Sequence, residues 1–356
     1  MRYDKSIDRI RGILVIIMVY AHVLQFFGNT GAYPAIEWIT QTINVLVFPT
    51  FVFCFGRSIA MAYLQKPFRK AAPKLFKTAL IMYCVFVLSG LGYRLLVEGA
   101  PFNAQTVNKI LLLSDMPGWS EFLAGFMAYA VAVLVLFVPL KWLSTRLIPS
   151  LMAGAVCLAL CFLPYDLITS KQAGLFIGSS TFACFPVVQY APYLLAGIYW
   201  QTTKRHGMTW ALIGGSATAV GVVYMAIAGL PTRFPPTLPW VLLTGVFPAL
   251  MSFAMAMVTK VPSILEPADG WLCNMGRRSL FYLLASNLTI FALSGSRSAP
   301  IANRLGGLFW SQRIASPFGA LVWTVILIAA IGLLASLAGR TSQKQPKSEE
   351  KPVQAA

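Results

Sequence analysis

The sequence predicts an all-α, polytopic integral membrane bundle of about ten transmembrane helices with both termini cytoplasmic. Three observations carry that expectation. Hydrophobic residues make up 58% of the 356 and charged residues only 11%, against roughly 25% charged in a soluble domain. Mean hydropathy is +0.71. Apolar runs long enough to cross a ~30 Å hydrocarbon core recur along the chain, separated by short basic loops in the pattern that sets membrane topology.

In order, the predicted spans are 12–28, 40–64, 78–97, 119–140, 147–163, 182–200, 208–229, 238–259, 278–294 and 317–338. With Arg2, Lys5 and Arg9 inside, the inside loops hold KPFRKAAPKLFK (66–77), KWLSTR (141–146), TKRHG (203–207) and the basic residues around 259–278. Glu37, Glu98, Asp115 and Asp166 then fall outside, which supports both termini facing the cytosol. One segment disagrees: 295–316 carries Arg297, Arg304 and Arg313 on the predicted outside. A misplaced boundary and a basic patch facing an anionic substrate explain it equally well.

The first apolar run follows basic residues as in a signal peptide, but it lacks an Ala-x-Ala exit and contains His22, so it is expected to stay as an anchor. Residues 1–339 are read as one transmembrane domain. The polar stretch 340–356 is read as a disordered cytosolic tail. The net charge of +17 resides in loops between spans, so nucleic acid is not an expected partner, whereas membrane lipids are. The six cysteines fall mostly inside apolar runs without metal-ligand spacing and are read as small buried hydrophobes, with no metal expected. No internal repeat, P-loop, GxGxxG, GxSxG or HExxH occurs.

Few polar residues are left for chemistry. Arg11 and His22 stand eleven residues apart on the first predicted helix, about 20° short of three turns, so they share a face about 16 Å apart along the axis. With Arg11 at the boundary, His22 sits near the middle of the bilayer, where an ionisable group usually marks a pathway or a site. An imidazole there can accept an alcohol's proton. It can equally serve as a hydrogen bond between helices. The only other histidine, His206, lies in a basic loop and reads as solvated. Asp8 stands at i, i+3 from Arg11, which either balances part of that charge or is an ion pair at the start of the helix. Lys66, Arg69, Lys70, Lys74 and Lys77 are what topology requires. They are also what a pocket for the phosphates of coenzyme A requires, with Lys74 and Lys77 on one side of the third helix. Glu121 beside Trp119, and Arg94 with Glu98 at i, i+4, read as interfacial residues.

The opening IDRIRGILVIIMVYAHV, with Asp8, Arg11, Gly12 and His22, resembles the start of the membrane-bound acyltransferase 3 family. Three further segments are similar in order and placement: FPTFVFCFGRSIA at 48–60, Lys74-Leu-Phe-Lys77 where the family shows Arg-x-x-Arg, and Gly276-Arg-Arg-Ser-Leu with Tyr282. The PPTLPW run at 235–240 is similar to relatives that modify periplasmic glucans and other glycans. Two departures stand out. Lysines replace the arginines at 74 and 77, and Ser286 and Asn287 occupy the place where many relatives have a second histidine.

The resemblance implies an enzyme of a bacterial cytoplasmic membrane that moves an acyl group from acyl-coenzyme A to a hydroxyl of a glycan or lipid-linked sugar. Acetyl is the default group, and succinyl is an option if Arg57 or Arg94 binds its carboxylate. Arg11 and the 66–77 loop would hold the donor, and His22 would be the general base or an acyl carrier. A partner to orient His22 must come from another helix, since no carboxylate neighbours it in sequence. The alternative is a transporter or flippase for an anionic solute with His22 as proton relay.

Overall fold

The computed structural model describes residues 4–203, 207–258, 261–294 and 315–343. Arg297, Arg304 and Arg313, His206, and the tail beyond 343 lie outside them. Among the described residues the regular elements are all helical.

Helix α1 (Lys5–Phe27) is the axis of the bundle. It begins where the Asp4 side chain accepts the Ser6 backbone N–H at 3.0 Å. Ile10, Leu14, Val15, Val19 and Val23 along it are fully buried. Around it pack α2 (Ala35–Ile59, extended by a π turn at Ala60–Leu64), α13 (Glu266–Arg277), α14 (Ser279–Ser294) and α15 (Pro317–Gln343). Helix α12 (Phe247–Met257) also packs on α1, and the next shell holds α3 (Phe68–Gly92, prolonged to Val97), α5 (Glu121–Val135) and α9 (Ala191–Thr203). The remaining elements are α4 (Ala104–Leu111), α6 (Phe137–Leu143), α7 (Leu147–Ala159), α8 (Lys171–Ile177), α10 (Gly207–Ala228) and α11 (Leu238–Leu242).

Among the described residues six helices are long and apolar enough to cross a membrane, or seven if α5 and α6 form one broken span. The expected ten are not confirmed by this measure, and the reasons are local. Helices α5 and α6 meet at 85°. Pro139 in α6 lacks an N–H and crowds the carbonyl four residues back, that of Val135, where α5 ends. The run 182–200 becomes helical only from Ala191, and α7 and α14 are short apolar helices.

Proline acts differently inside α2. Pro49 leaves the Val45 carbonyl without its helical donor, and the buried Thr244 hydroxyl donates to it instead, tying α2 to the turn between α11 and α12.

Two glycines of the motif-bearing segments set the α1–α13 crossing. A Cβ on Gly276 would lie 1.9 Å from the Asp8 carbonyl oxygen, and one on Gly12 would lie 2.4 Å from that of Leu272. Only hydrogen fits at either point, and small residues are how membrane helices reach backbone contact.

Charged side chains then fasten helix ends. Arg9 donates to both Asp269 oxygens (2.6 and 3.0 Å) and to the Val258 carbonyl (2.8 Å). Buried Arg57 donates to Asp4, Ser6, Gln201 and Ser252. Arg94 pairs with Glu98, as its spacing predicts, and also clasps Asp115 at 2.6 and 2.8 Å.

Candidate active site

His22 lies on the inner face of α1 with 7% of its surface exposed. Its Nδ1 is 2.9 Å from Asn287 Oδ1 on α14. The rest of the Asn287 amide decides the proton. Asn287 Nδ2 faces the Trp119 carbonyl at 3.3 Å and Ser89 Oγ at 3.4 Å. A backbone carbonyl only accepts, so the amide nitrogen must point there and the amide oxygen toward His22. Imidazole Nδ1 therefore donates, and Nε2 keeps its lone pair. The Ser120 hydroxyl donates to Ser89 Oγ at 2.9 Å, closing a chain across α3, α14 and the start of α5.

Trp119 presents its carbonyl to Asn287 from a left-handed backbone conformation. Its φ of 59° is unfavourable for a side chain with a bulky Cβ. The indole Nε1 donates to Gln25 Oε1 at 2.7 Å, and the ring packs on Phe26 (4.6 Å between centroids) and Tyr93 (5.3 Å).

A cavity of about 230 Å³ opens beside His22. Gln25, Asn44, Trp119, Glu121, Arg233 and Phe234 give it its character. Glu121, expected at an interface, is instead 92% buried at its wall (8% exposed). Arg233 is clamped between rings, with its guanidinium carbon 5.0 Å from the Phe185 centroid and 4.4 Å from that of Phe234.

A second cavity, of about 270 Å³, holds the other predicted residue of the pair. Arg11 lines it with Tyr63, Thr78, Met82, Arg277 and Ser279. Arg11 donates to the Cys54 carbonyl at 3.4 Å, and Asp8 lies 3.9 Å from Arg277. Phe122 lines both cavities. It sits in a cluster with Phe48, Phe51 and Phe126 at centroid distances of 5.3, 5.5 and 4.9 Å. The two chambers are thus back to back along α1, with one aromatic side chain common to their walls.

The basic residues predicted for donor binding divide. Arg69, Lys70, Lys74 and Lys77 are exposed on the first turns of α3 rather than in the Arg11 cavity. They belong to the same end of the bundle, because Tyr63 and Thr78, which flank that segment, line the cavity. Arg57 and Arg94 are occupied by the partners named above.

Residues 4–339 match the acyltransferase 3 family, described as an acyltransferase domain. The chain belongs to that family. No curated protein matches it individually. As an acyltransferase 3 member with several membrane-length helices, it is a multi-pass membrane acyltransferase. The resemblance of the Arg11–His22 segment, the 48–60 run and Gly276-Arg-Arg-Ser-Leu to this family thus extends over nearly the whole chain. Sequence reasoning did not find Asn287, Ser89, Glu121 or Arg233 as parts of one site. For Asn287 the signal was present in its position, which is where acyltransferase 3 relatives often carry histidine.

Proposed function

We propose that the protein is an O-acyltransferase that takes an acyl group, by default acetyl, from acyl-coenzyme A at the Arg11 end and delivers it at the His22 end to a hydroxyl of a glycan or lipid-linked sugar. The observation that carries this reading is the pair of cavities sharing Phe122, one holding cations and the other holding an imidazole with a free Nε2. Coenzyme A phosphates pair with Arg11 and Arg277, and with the exposed Lys66, Arg69, Lys70, Lys74 and Lys77 around the mouth. The pantetheine arm spans the separation of about 16 Å between Arg11 and His22 and brings the thioester past Phe122.

At His22 the acceptor hydroxyl donates to Nε2. As its oxygen forms the C–O bond, the proton moves to the imidazole, whose Nδ1–H stays on Asn287 Oδ1. Collapse of the tetrahedral intermediate breaks the C–S bond, and the imidazolium returns the proton to the departing coenzyme A sulfur. Asp8 acts on this chemistry only from the Arg277 side of the donor cavity. With Arg57 and Arg94 already engaged, a succinyl carboxylate has neither as a partner, so acetyl is favoured. By the positive-inside rule the basic end faces the cytosol of a bacterial inner membrane.

Retention of radiolabelled acetyl-coenzyme A by purified protein tests the donor half. Binding that weakens about tenfold or more in Arg11→Ala and again in Arg11→Ala/Arg277→Ala supports it. Wild type that retains no acyl-coenzyme A contradicts it.

A further inference from the structure

Among the described residues, Glu121 and Arg233 are the two charged side chains that line the His22 cavity. Each has a buried polar atom with no hydrogen-bond partner: Glu121 Oε2, an acceptor, and Arg233 Nε, a donor. Such atoms are costly when left unpaired, and the two residues that carry them stand at one cavity wall. Neither side chain forms an ion pair within 4 Å among the described residues. Arg233 is held by aromatic rings instead, which fix its position without using its N–H groups.

We propose that Glu121 and Arg233 form the acceptor subsite and select an uncharged sugar ring with neighbouring hydroxyls. One hydroxyl donates to the Glu121 carboxylate, and the oxygen of an adjacent one accepts from the Arg233 guanidinium. A third hydroxyl of the same ring is then presented to His22 Nε2. Trp119, Phe185 and Phe234 also line the cavity and give the ring's C–H surface apolar neighbours. Among the described residues, one carboxylate and one guanidinium cancel at this wall, which favours an uncharged ring over an anion or a cation. At about 230 Å³ the space is below the range of roughly 300–1,000 Å³ typical of drug-sized ligands, which fits one ring with the rest of a longer glycan outside. The catalytic outcome rests on the acyl-transfer reading above. The binding preference does not.

The test is equilibrium dialysis of the full-length protein with labelled methyl glucoside (neutral), methyl glucuronide (anionic) and methyl glucosaminide (cationic). Wild type should prefer the glucoside. Glu121→Gln leaves the Arg233 charge uncompensated, so the glucuronide should gain about tenfold relative to the glucoside. Arg233→Gln should produce the same gain for the glucosaminide. A gain of affinity cannot arise from misfolding. The same order of preference in all three proteins, or no saturable binding of the glucoside by wild type, overturns the subsite. Transfer of label from acetyl-coenzyme A to the glucoside is followed in parallel. Correct sugar preferences without any thioester consumption would refute the acyl-transfer reading and leave the subsite standing.

Discussion

Asn287 Oδ1 accepts a hydrogen bond from His22 Nδ1 at 2.9 Å, although the two residues stand 265 positions apart. An amide performs here the orienting task that a carboxylate performs in many catalytic histidine sites, and it does so without bringing a negative charge into the bilayer. Its own orientation is fixed by the Trp119 carbonyl.

Replacing Asn287 with Leu should therefore lower kcat about tenfold or more with little change in KM for acyl-coenzyme A, because the ring loses its tautomer and aim while the donor cavity is untouched. Asn287→Asp should recover part of the loss. Steady-state thioester turnover checks both, and an Asn287→Leu enzyme with wild-type kcat would show that this bond is only structural.

Phe122 is common to the two chambers, so enlarging it should block passage rather than binding. Phe122→Trp is expected to retain labelled acetyl-coenzyme A yet to lose most transfer to acceptor. Unchanged transfer would mean that the thioester reaches His22 by another route.

Gly276 meets the Asp8 backbone where a Cβ would lie 1.9 Å from the carbonyl oxygen. Gly276→Ala should destabilise the protein by about 1–3 kcal/mol through forced separation of α1 and α13, outweighing the ~0.5–1 kcal/mol that alanine otherwise gains in a helix. Thermal unfolding in detergent measures it, with Gly270→Ala on the same helix as the control, since its Cβ would meet nothing within 4 Å.

The Arg9 hydrogen bonds hold the Asp269 carboxyl below its usual 3.8, partial burial opposing the shift. A depressed folded-state value stabilises the fold at pH above the unfolded value and loses that contribution as pH falls through the folded one. The difference in melting temperature between wild type and Asp269→Asn should accordingly be constant at neutral pH and shrink only below about pH 4. A difference that persists undiminished in acid would assign it to packing.

Much of this was legible locally. The Arg94–Glu98 pair follows from spacing of one turn and the shared face of Arg11 and His22 from spacing of about three turns, and helical periodicity conveys such relations directly. Contacts across the bundle were not legible. Spacing along the sequence does not connect His22 to Asn287, or give Arg57 its partners in Asp4, Gln201 and Ser252, because those pairs depend on helix crossings. Glu121 was misjudged for the same reason: a carboxylate at the start of an apolar run looks interfacial until the neighbouring elements bury it. The expected spans differ from the membrane-length helices among the described residues because hydropathy windows report apolar length and are blind to the 85° break before Pro139 and to the non-helical approach to Ala191.

The most direct test of the account follows label from radiolabelled acetyl-coenzyme A in purified wild type, His22→Ala and His22→Gln. The account expects thioester turnover and transfer to a sugar hydroxyl in wild type, and loss of about 10²–10⁴-fold in both variants while acetyl-coenzyme A remains bound at the Arg11 end. Transfer at the wild-type rate in His22→Ala would contradict it, leaving His22 as a hydrogen bond between α1 and α14.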